Sequence, residues 1–212
     1  MRLQGKVALV SGAAAGIGAA IATALAAEGA SVMVTDIDAT AAAALAEHIR
    51  ATGGSADSLK LDAADEPQWA AALAATVERW GSLSVVVNNA GIAPTGDPIE
   101  NLALADWRRS LSVNLDGVFL GVKHGIRAMK ANTSTAGSII NVSSVLGIVG
   151  TTRAPDYVAA KGAVRLLTKA AALECCQMSY PIRVNSVHPG FIETPMLERG
   201  LQNMASLGFF PD

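Results

Sequence analysis

Cysteine is scarce in this chain. Only Cys175 and Cys176 occur in 212 residues, side by side, which excludes a disulfide framework and suits a reducing compartment such as the cytoplasm. The three histidines, His48, His124 and His188, share no ligand spacing with one another or with the cysteines. No metal site is therefore expected, and each reads as an ordinary surface or core histidine. An excess of one charge is also missing: 16 Lys and Arg against 18 Asp and Glu leave a net charge of -2. No basic field is present to hold nucleic acid or an anionic membrane. Long apolar runs are lacking too, because Glu28, Glu47, Glu78 and Arg79 break the hydrophobic stretches before a bilayer-spanning length accumulates. Residues 1–6 lead straight into the apolar run 7–10, which is too short for a signal-peptide core. Linkers, low-complexity tracts and a second compositional zone are likewise absent, so residues 1–212 read as one domain.

What is present is apolar: 51% of residues are hydrophobic and only 16% charged, enough to bury a substantial core. Short β-rich runs at 7–10, 31–35, 58–61, 85–88, 138–142 and 183–187 alternate with Ala- and Leu-rich segments at 17–28, 39–50, 66–80, 104–130 and 157–178. The alternation predicts an α/β fold with a doubly wound parallel sheet covered by helices on both faces. Asp38, Asp65 and Asp106 stand where first-turn caps or dipole partners belong. The segment 104–130 is long enough for two helices, and the alanines at 41–44 read as close-packed helix surface.

Directly after the first strand comes Ser11-Gly12-Ala13-Ala14-Ala15-Gly16-Ile17-Gly18, opening a helix. Glycines in such a loop allow a tight turn, close backbone approach to a pyrophosphate and close helix–sheet packing, while the helix N-terminus offers N–H donors to the anion. Asp36 ends the second strand, 18 residues beyond Gly18. A carboxylate there accepts from a ribose 2′-hydroxyl and repels a 2′-phosphate, and neither Ala15 nor Ile37 supplies the cation a phosphate needs. The reading is NAD rather than NADP. The plainer alternative has Asp36 capping a turn with Asp38.

Further motifs follow in order: Asn88-Asn89-Ala90-Gly91 after the fourth strand, Asn114, Ser144, Tyr157-x-x-x-Lys161, and Pro189-Gly190 followed by Thr194. Together with the glycine loop, and from about Gly5 to Thr194, they resemble the short-chain dehydrogenase/reductase family, whose fold is a Rossmann-like doubly wound sheet. The stretches 170–173 and 182–189 are also similar to bacterial members acting on steroid or alicyclic alcohols.

Tyr157 and Lys161 share a helix face, and a nearby ammonium favours the phenolate, bringing the phenol towards the range of a general base. The chain contains only two tyrosines. The resemblance implies that Tyr157 exchanges a proton with the substrate oxygen during hydride transfer, and that Lys161 also bonds the nicotinamide ribose. Ser144, 13 residues before Tyr157, would hold the substrate oxygen, with Ser143 bonding backbone. Asn114 would hold a helix kink and a water leading from Lys161 to solvent. The plainer alternatives are a loop-capping serine and a solvated helix asparagine. By the same resemblance, Gly12, Gly16, Ile17, Gly18, Asp36, Asp62, Asn89, Ala90, Gly91, Tyr157, Lys161, Pro189, Gly190, Ile192 and Thr194 contact the cofactor. Asp62 would meet the adenine, or else simply form a turn, while Asn88 stitches neighbouring strands.

The family chain continues after the sixth strand with more helix and a seventh strand, whereas this sequence ends with residues 207–212. A six-stranded sheet with the sixth strand as an exposed edge, and part of the substrate lid absent, is the expectation. In the family the long helices after the fourth and fifth strands pack between subunits, and both are intact here, so the resemblance implies a homodimer or homotetramer. Segments 93–95, 145–155 and the region after Gly190 would line a mostly apolar pocket for a hydrophobic secondary alcohol or ketone, and Arg153 gives no ground for an anionic substrate. Two other functions fit less well: an NAD-binding regulatory subunit without turnover, and an NADPH-dependent ketoreductase, which Asp36 opposes.

Overall fold

The computed structural model describes residues 1–131 and 136–206, so the final stretch 207–212 lies outside the described residues. Six parallel strands, β1 (Val7–Ser11), β2 (Ser31–Asp36), β3 (Ser55–Lys60), β4 (Val85–Asn88), β5 (Gly137–Val142) and β6 (Ile182–Val187), form one sheet in the order β3-β2-β1-β4-β5-β6. The register pairs Leu9 with Met33 on one side and with Val86 on the other. The chain therefore reverses its direction of travel across the sheet between β1 and β4. A crevice opens there at the carboxyl ends of the strands.

Helices α1 (Gly16–Ala27) and α2 (Ala39–Ala51) cover one face, packing Ala22, Ala26, Ala42, Ala46 and Ile49 on Ala8, Val10, Val32 and Val34. On the other face α3 (Glu66–Trp80), α5 (Gly117–Ala131) and α6 (Pro155–Gln177) close over Leu9, Val86, Ile139 and Val184, with Trp69 fully buried and its indole N–H donating to the Ala63 carbonyl. The abundant alanines let α1 and α2 lie close to the sheet. Gly121 does the same for α5, since a methyl group there would collide with the Asn88 amide and the Trp69 ring. Asp38 and Asp65 cap α2 and α3 through the amides of Ala41 and Gln68, and Asp106 lies in the first turn of α4 (Leu104–Leu111).

The structure departs from the sequence expectations in two places, at the start of β3 and after β6, and bears them out in two others, at 104–130 and at the sheet edge. Strand β3 begins three residues early, at Ser55, because pairing with β2 recruits the polar Ser-Ala-Asp that lacks strand propensity on its own. The segment 104–130 is two helices joined by a π-turn at Ser112–Asp116 centred on Asn114. An additional helix, α7 (Pro195–Ser206), follows β6; Thr194 caps it by accepting from the Leu197 amide, with Pro195 at its first position. Finally, β6 is covered on one face only: Ile182 and Val184 are buried while Arg183, Asn185 and Val187 are exposed. Among the described residues it forms the edge of the sheet.

Candidate active site

The glycine loop, the end of β4 and the start of α1 are locked together. A Cβ on Gly12 would lie 2.6 Å from the Ala90 Cα, and one on Gly18 would strike the Gly12 carbonyl and the Asn89 amide. Asn89 spends both side-chain N–H groups on this junction, donating to the Ser11 carbonyl at 3.0 Å and the Gly12 carbonyl at 2.8 Å. Its side chain thus buttresses the loop rather than presenting those donors to a ligand. Ser11, which sequence reasoning did not single out, completes the junction by accepting the amides of Asn89 and Ala90 on its hydroxyl. Across the loop, the Thr194 methyl lies where a Cβ on Gly16 would meet it at 3.1 Å.

This corner has the donor set a dinucleotide needs. Helix α1 carries no side-chain cap and no acidic residue in its first turn, in contrast to α2 and α3 with their aspartates. An anion at Gly16, Ile17 and Gly18 therefore meets no competing side chain. Asp36 is oriented over the loop by two amides, Ala14 N–H to Oδ2 and Asp38 N–H to Oδ1, each 3.0 Å. The turn with Asp38 leaves the half-buried carboxylate able to accept further hydrogen bonds, since each oxygen keeps another lone pair. Asp62 makes a local turn, its Oδ1 accepting from Ala64, and lies half-buried after β3.

At the ends of β4 and β5 a second cluster assembles. Asn114 is fully buried, which removes the solvated-helix alternative. Its amide exchanges two hydrogen bonds with the Ile92 backbone, at 3.0 and 3.1 Å, and also donates to Ser110. The π-turn widens the helix where this side chain leaves it. Lys161 is buried, and its ammonium donates to the Val142 carbonyl at 2.9 Å, 5.6 Å from the centroid of the Tyr157 ring. Gly91 fills the space between, for a Cβ on it would meet Asn114 Oδ1 at 2.8 Å and Lys161 Nζ at 3.6 Å. Ser143 bonds the Lys161 carbonyl, as a backbone-bonding serine should. Ser144 accepts from the Leu146 amide, which caps its turn, and its hydroxyl holds the Tyr157 phenol down against the effect of burial, so it joins the cluster at once.

The family model for short chain dehydrogenases matches residues 6–205 of this chain. The chain belongs to the short-chain dehydrogenase family. An NADP-dependent (R)-specific alcohol dehydrogenase of Lentilactobacillus kefiri is 44% identical over 210 residues, 97% of this chain and 81% of that protein. A trans-4-hydroxycyclohexanecarboxylate dehydrogenase of Sinomonas cyclohexanicum is 47% identical over 208 residues, 94% of this chain and 78% of that protein. The crystal structure of levodione reductase superposes with a TM-score of 0.91 at 35% identity, covering 97% of this chain and 79% of that one.

The electrostatics of this short-chain dehydrogenase differ from the simple expectation at Tyr157. Burial raises the phenol above its usual value of 10, and the smaller opposing influence is the Ser144 hydrogen bond, not the lysine. Burial also pushes Lys161 down to about 8 from 10.5. The folded value lies below the unfolded one, so the charged lysine destabilises the fold fully below about pH 8 and the cost fades as pH rises to 10.5. Relative to Lys161→Met, the wild type should therefore gain up to about 3 kcal/mol over that window, read by urea denaturation at several pH values. A stability difference independent of pH would mean that the ammonium is not desolvated.

Proposed function

We propose that this chain is an NAD-dependent oxidoreductase interconverting a hydrophobic secondary alcohol and its ketone. The observation that carries the reading is the convergence of Ser144, Tyr157, Lys161 and Asn114 beside the uncapped glycine loop, at the switch point between β1 and β4. Bound nicotinamide supplies the hydride acceptor or donor. The chain's own residues handle the oxygen and the proton. Ser144 and Tyr157 present their hydroxyls to the substrate oxygen, and Tyr157 gives it a proton in ketone reduction or removes one in alcohol oxidation. Lys161, below about pH 8 an ammonium, holds the ribose. Asn114 keeps the π-turn and the 92 loop in place behind them. Cofactor contacts are assigned to Gly12, Gly16, Ile17, Gly18, Asp36, Asp62, Ala90, Gly91, Pro189, Gly190, Ile192 and Thr194, with Asn89 acting through the loop it braces.

The substrate class is supported by exposed apolar side chains in the two loops flanking the cluster: Ile148 and Val149 after Ser144, Phe191 and Ile192 after Pro189. Exposed Phe119 on α5 and Leu166 and Leu173 on α6 support a homo-oligomer. Among the described residues no helix is long and apolar enough to cross a membrane, and the unpaired Cys175 and Cys176 support a cytoplasmic setting.

The assignment of NAD rests on Asp36, while the Lentilactobacillus relative is named for NADP. Competitive fluorescence titration decides between them. NADH should bind at least about tenfold more tightly than NADPH, and Asp36→Ser should narrow that ratio by relieving the clash of two negative charges. Tighter binding of NADPH by the wild type would overturn the NAD assignment.

A further inference from the structure

His188 is not an ordinary surface or core histidine. Its Nδ1 lies 3.0 Å from the carbonyl oxygen of Ser144, and its Nε2 lies 3.0 Å from the Ser186 hydroxyl. A carbonyl can only accept, so Nδ1 carries the proton, and Nε2 is left to accept from the Ser186 O–H. Around this contact the backbones of β5 and β6 remain zipped beyond the end of the ladder. The Ser143 amide donates to the Val187 carbonyl at 2.9 Å and the Val145 amide to the Pro189 carbonyl at 3.0 Å. Between these two rungs, the His188 side chain supplies the donor that satisfies the Ser144 carbonyl, which also accepts from Gly147 at 2.9 Å.

We infer that His188 is a positioning residue for Ser144, holding the Ser144 main chain so that its hydroxyl meets the Tyr157 phenol and tying that serine to the segment that begins at Pro189. The inference rests on the proposed function, in which Ser144 and Tyr157 share the substrate oxygen. The connection has a mechanical logic. Ser144 has one backbone anchor on each side along the chain, Ser143 and Val145, and its own carbonyl is fixed by an imidazole that immediately precedes Pro189. The same short stretch of chain leads to Thr194, whose methyl lies over Gly16. Movement of the post-β6 segment is thereby transmitted to the serine hydroxyl. The Ser144 carbonyl selects the Nδ1–H tautomer, and the Ser186 hydroxyl adapts to it by donating to Nε2, a pairing no spacing rule reveals.

Isosteric replacement separates positioning from bulk. In His188→Asn the amide nitrogen takes the place of Nδ1 and can still donate to Ser144, whereas in His188→Gln it takes the place of Nε2 and reaches only towards Ser186. His188→Ala and His188→Gln should lose about 10- to 100-fold in kcat with little change in KM for NAD. His188→Asn should retain most of the wild-type kcat. Hydrogen–deuterium exchange gives a readout independent of turnover: the Val145 and Gly147 amides should exchange faster in the Ala and Gln variants than in wild type or Asn. Equal protection in all four proteins, or equal kcat in Ala and Asn at matched thermal stability, would overturn the inference. Ser144→Ala, assayed alongside, distinguishes the two levels. Undiminished turnover in that variant contradicts the proposed function itself, whereas its loss together with an unaffected His188→Ala contradicts only the role of His188.

Discussion

Tyr157→Phe should lower turnover by about 10²- to 10⁴-fold while leaving NADH affinity within about twofold of wild type. The substitution removes one oxygen from a site whose other members are held independently of it. Lys161 is anchored on Val142, Asn114 on Ile92, and Ser144 on Leu146. What disappears is the group to which the proposed function gives the substrate proton. Burial keeps the phenol protonated at neutral pH, which suits the acid needed for ketone reduction. Alcohol oxidation needs the conjugate base, so its kcat/KM at saturating NAD should climb with pH across the neutral-to-alkaline range while ketone reduction does not. Undiminished turnover in Tyr157→Phe would remove the tyrosine from the chemistry.

Gly12→Ala should weaken NADH binding by at least about tenfold and lower the unfolding temperature, because two costs coincide at one position. Gly12 sits at φ +62°, and its added methyl would meet backbone, the Ala90 Cα at 2.6 Å, which has no rotamer to move aside. The loop would have to lift off β4, breaking the Asn89 bonds to Ser11 and Gly12 and displacing the N–H donors of α1. Gly53→Ala is the matching control. Gly53 lies at φ +87° between α2 and β3 with nothing within 4 Å of an added Cβ, so it incurs the conformational cost alone, about 1 kcal/mol, with no loss of cofactor affinity. Matching loss of affinity in the two variants would mean that the loop is not clamped against β4.

The fold was legible because its determinants are local and repetitive. Near-continuous apolar strands such as Val85-Val86-Val87, aspartates before helices, and a glycine loop between strand and helix each carry their own physical signature. Strand β3 was only half visible, since Ser55, Ala56 and Asp57 become a strand through pairing with β2 rather than by propensity. Helix α7 is absent from the sequence reading although Thr194-Pro195 is a sound start signal, because the stretch after Gly190 reads there as cofactor contact and pocket lining. At the site, residue types and spacing marked Tyr157, Lys161 and Ser144. They did not disclose partners. That Asn89 braces the loop, that Ser110 supports Asn114, and that His188 reaches the Ser144 carbonyl are long-range facts set by where β4, β5 and β6 end. The balance at Tyr157 was misjudged for a similar reason. A neighbouring cation is visible four residues away in sequence, but the burial that outweighs it is a property of the packed site.

The most direct measurement is NADH formation by the purified chain with NAD and a panel of aliphatic, alicyclic and steroidal secondary alcohols, with ketone product quantified in the same samples. NADH and ketone should appear in equal amounts with apolar members of the panel. NADH bound by the protein, yet neither formed from any alcohol nor consumed by any of the corresponding ketones, would contradict the account and leave a nucleotide-binding protein without turnover.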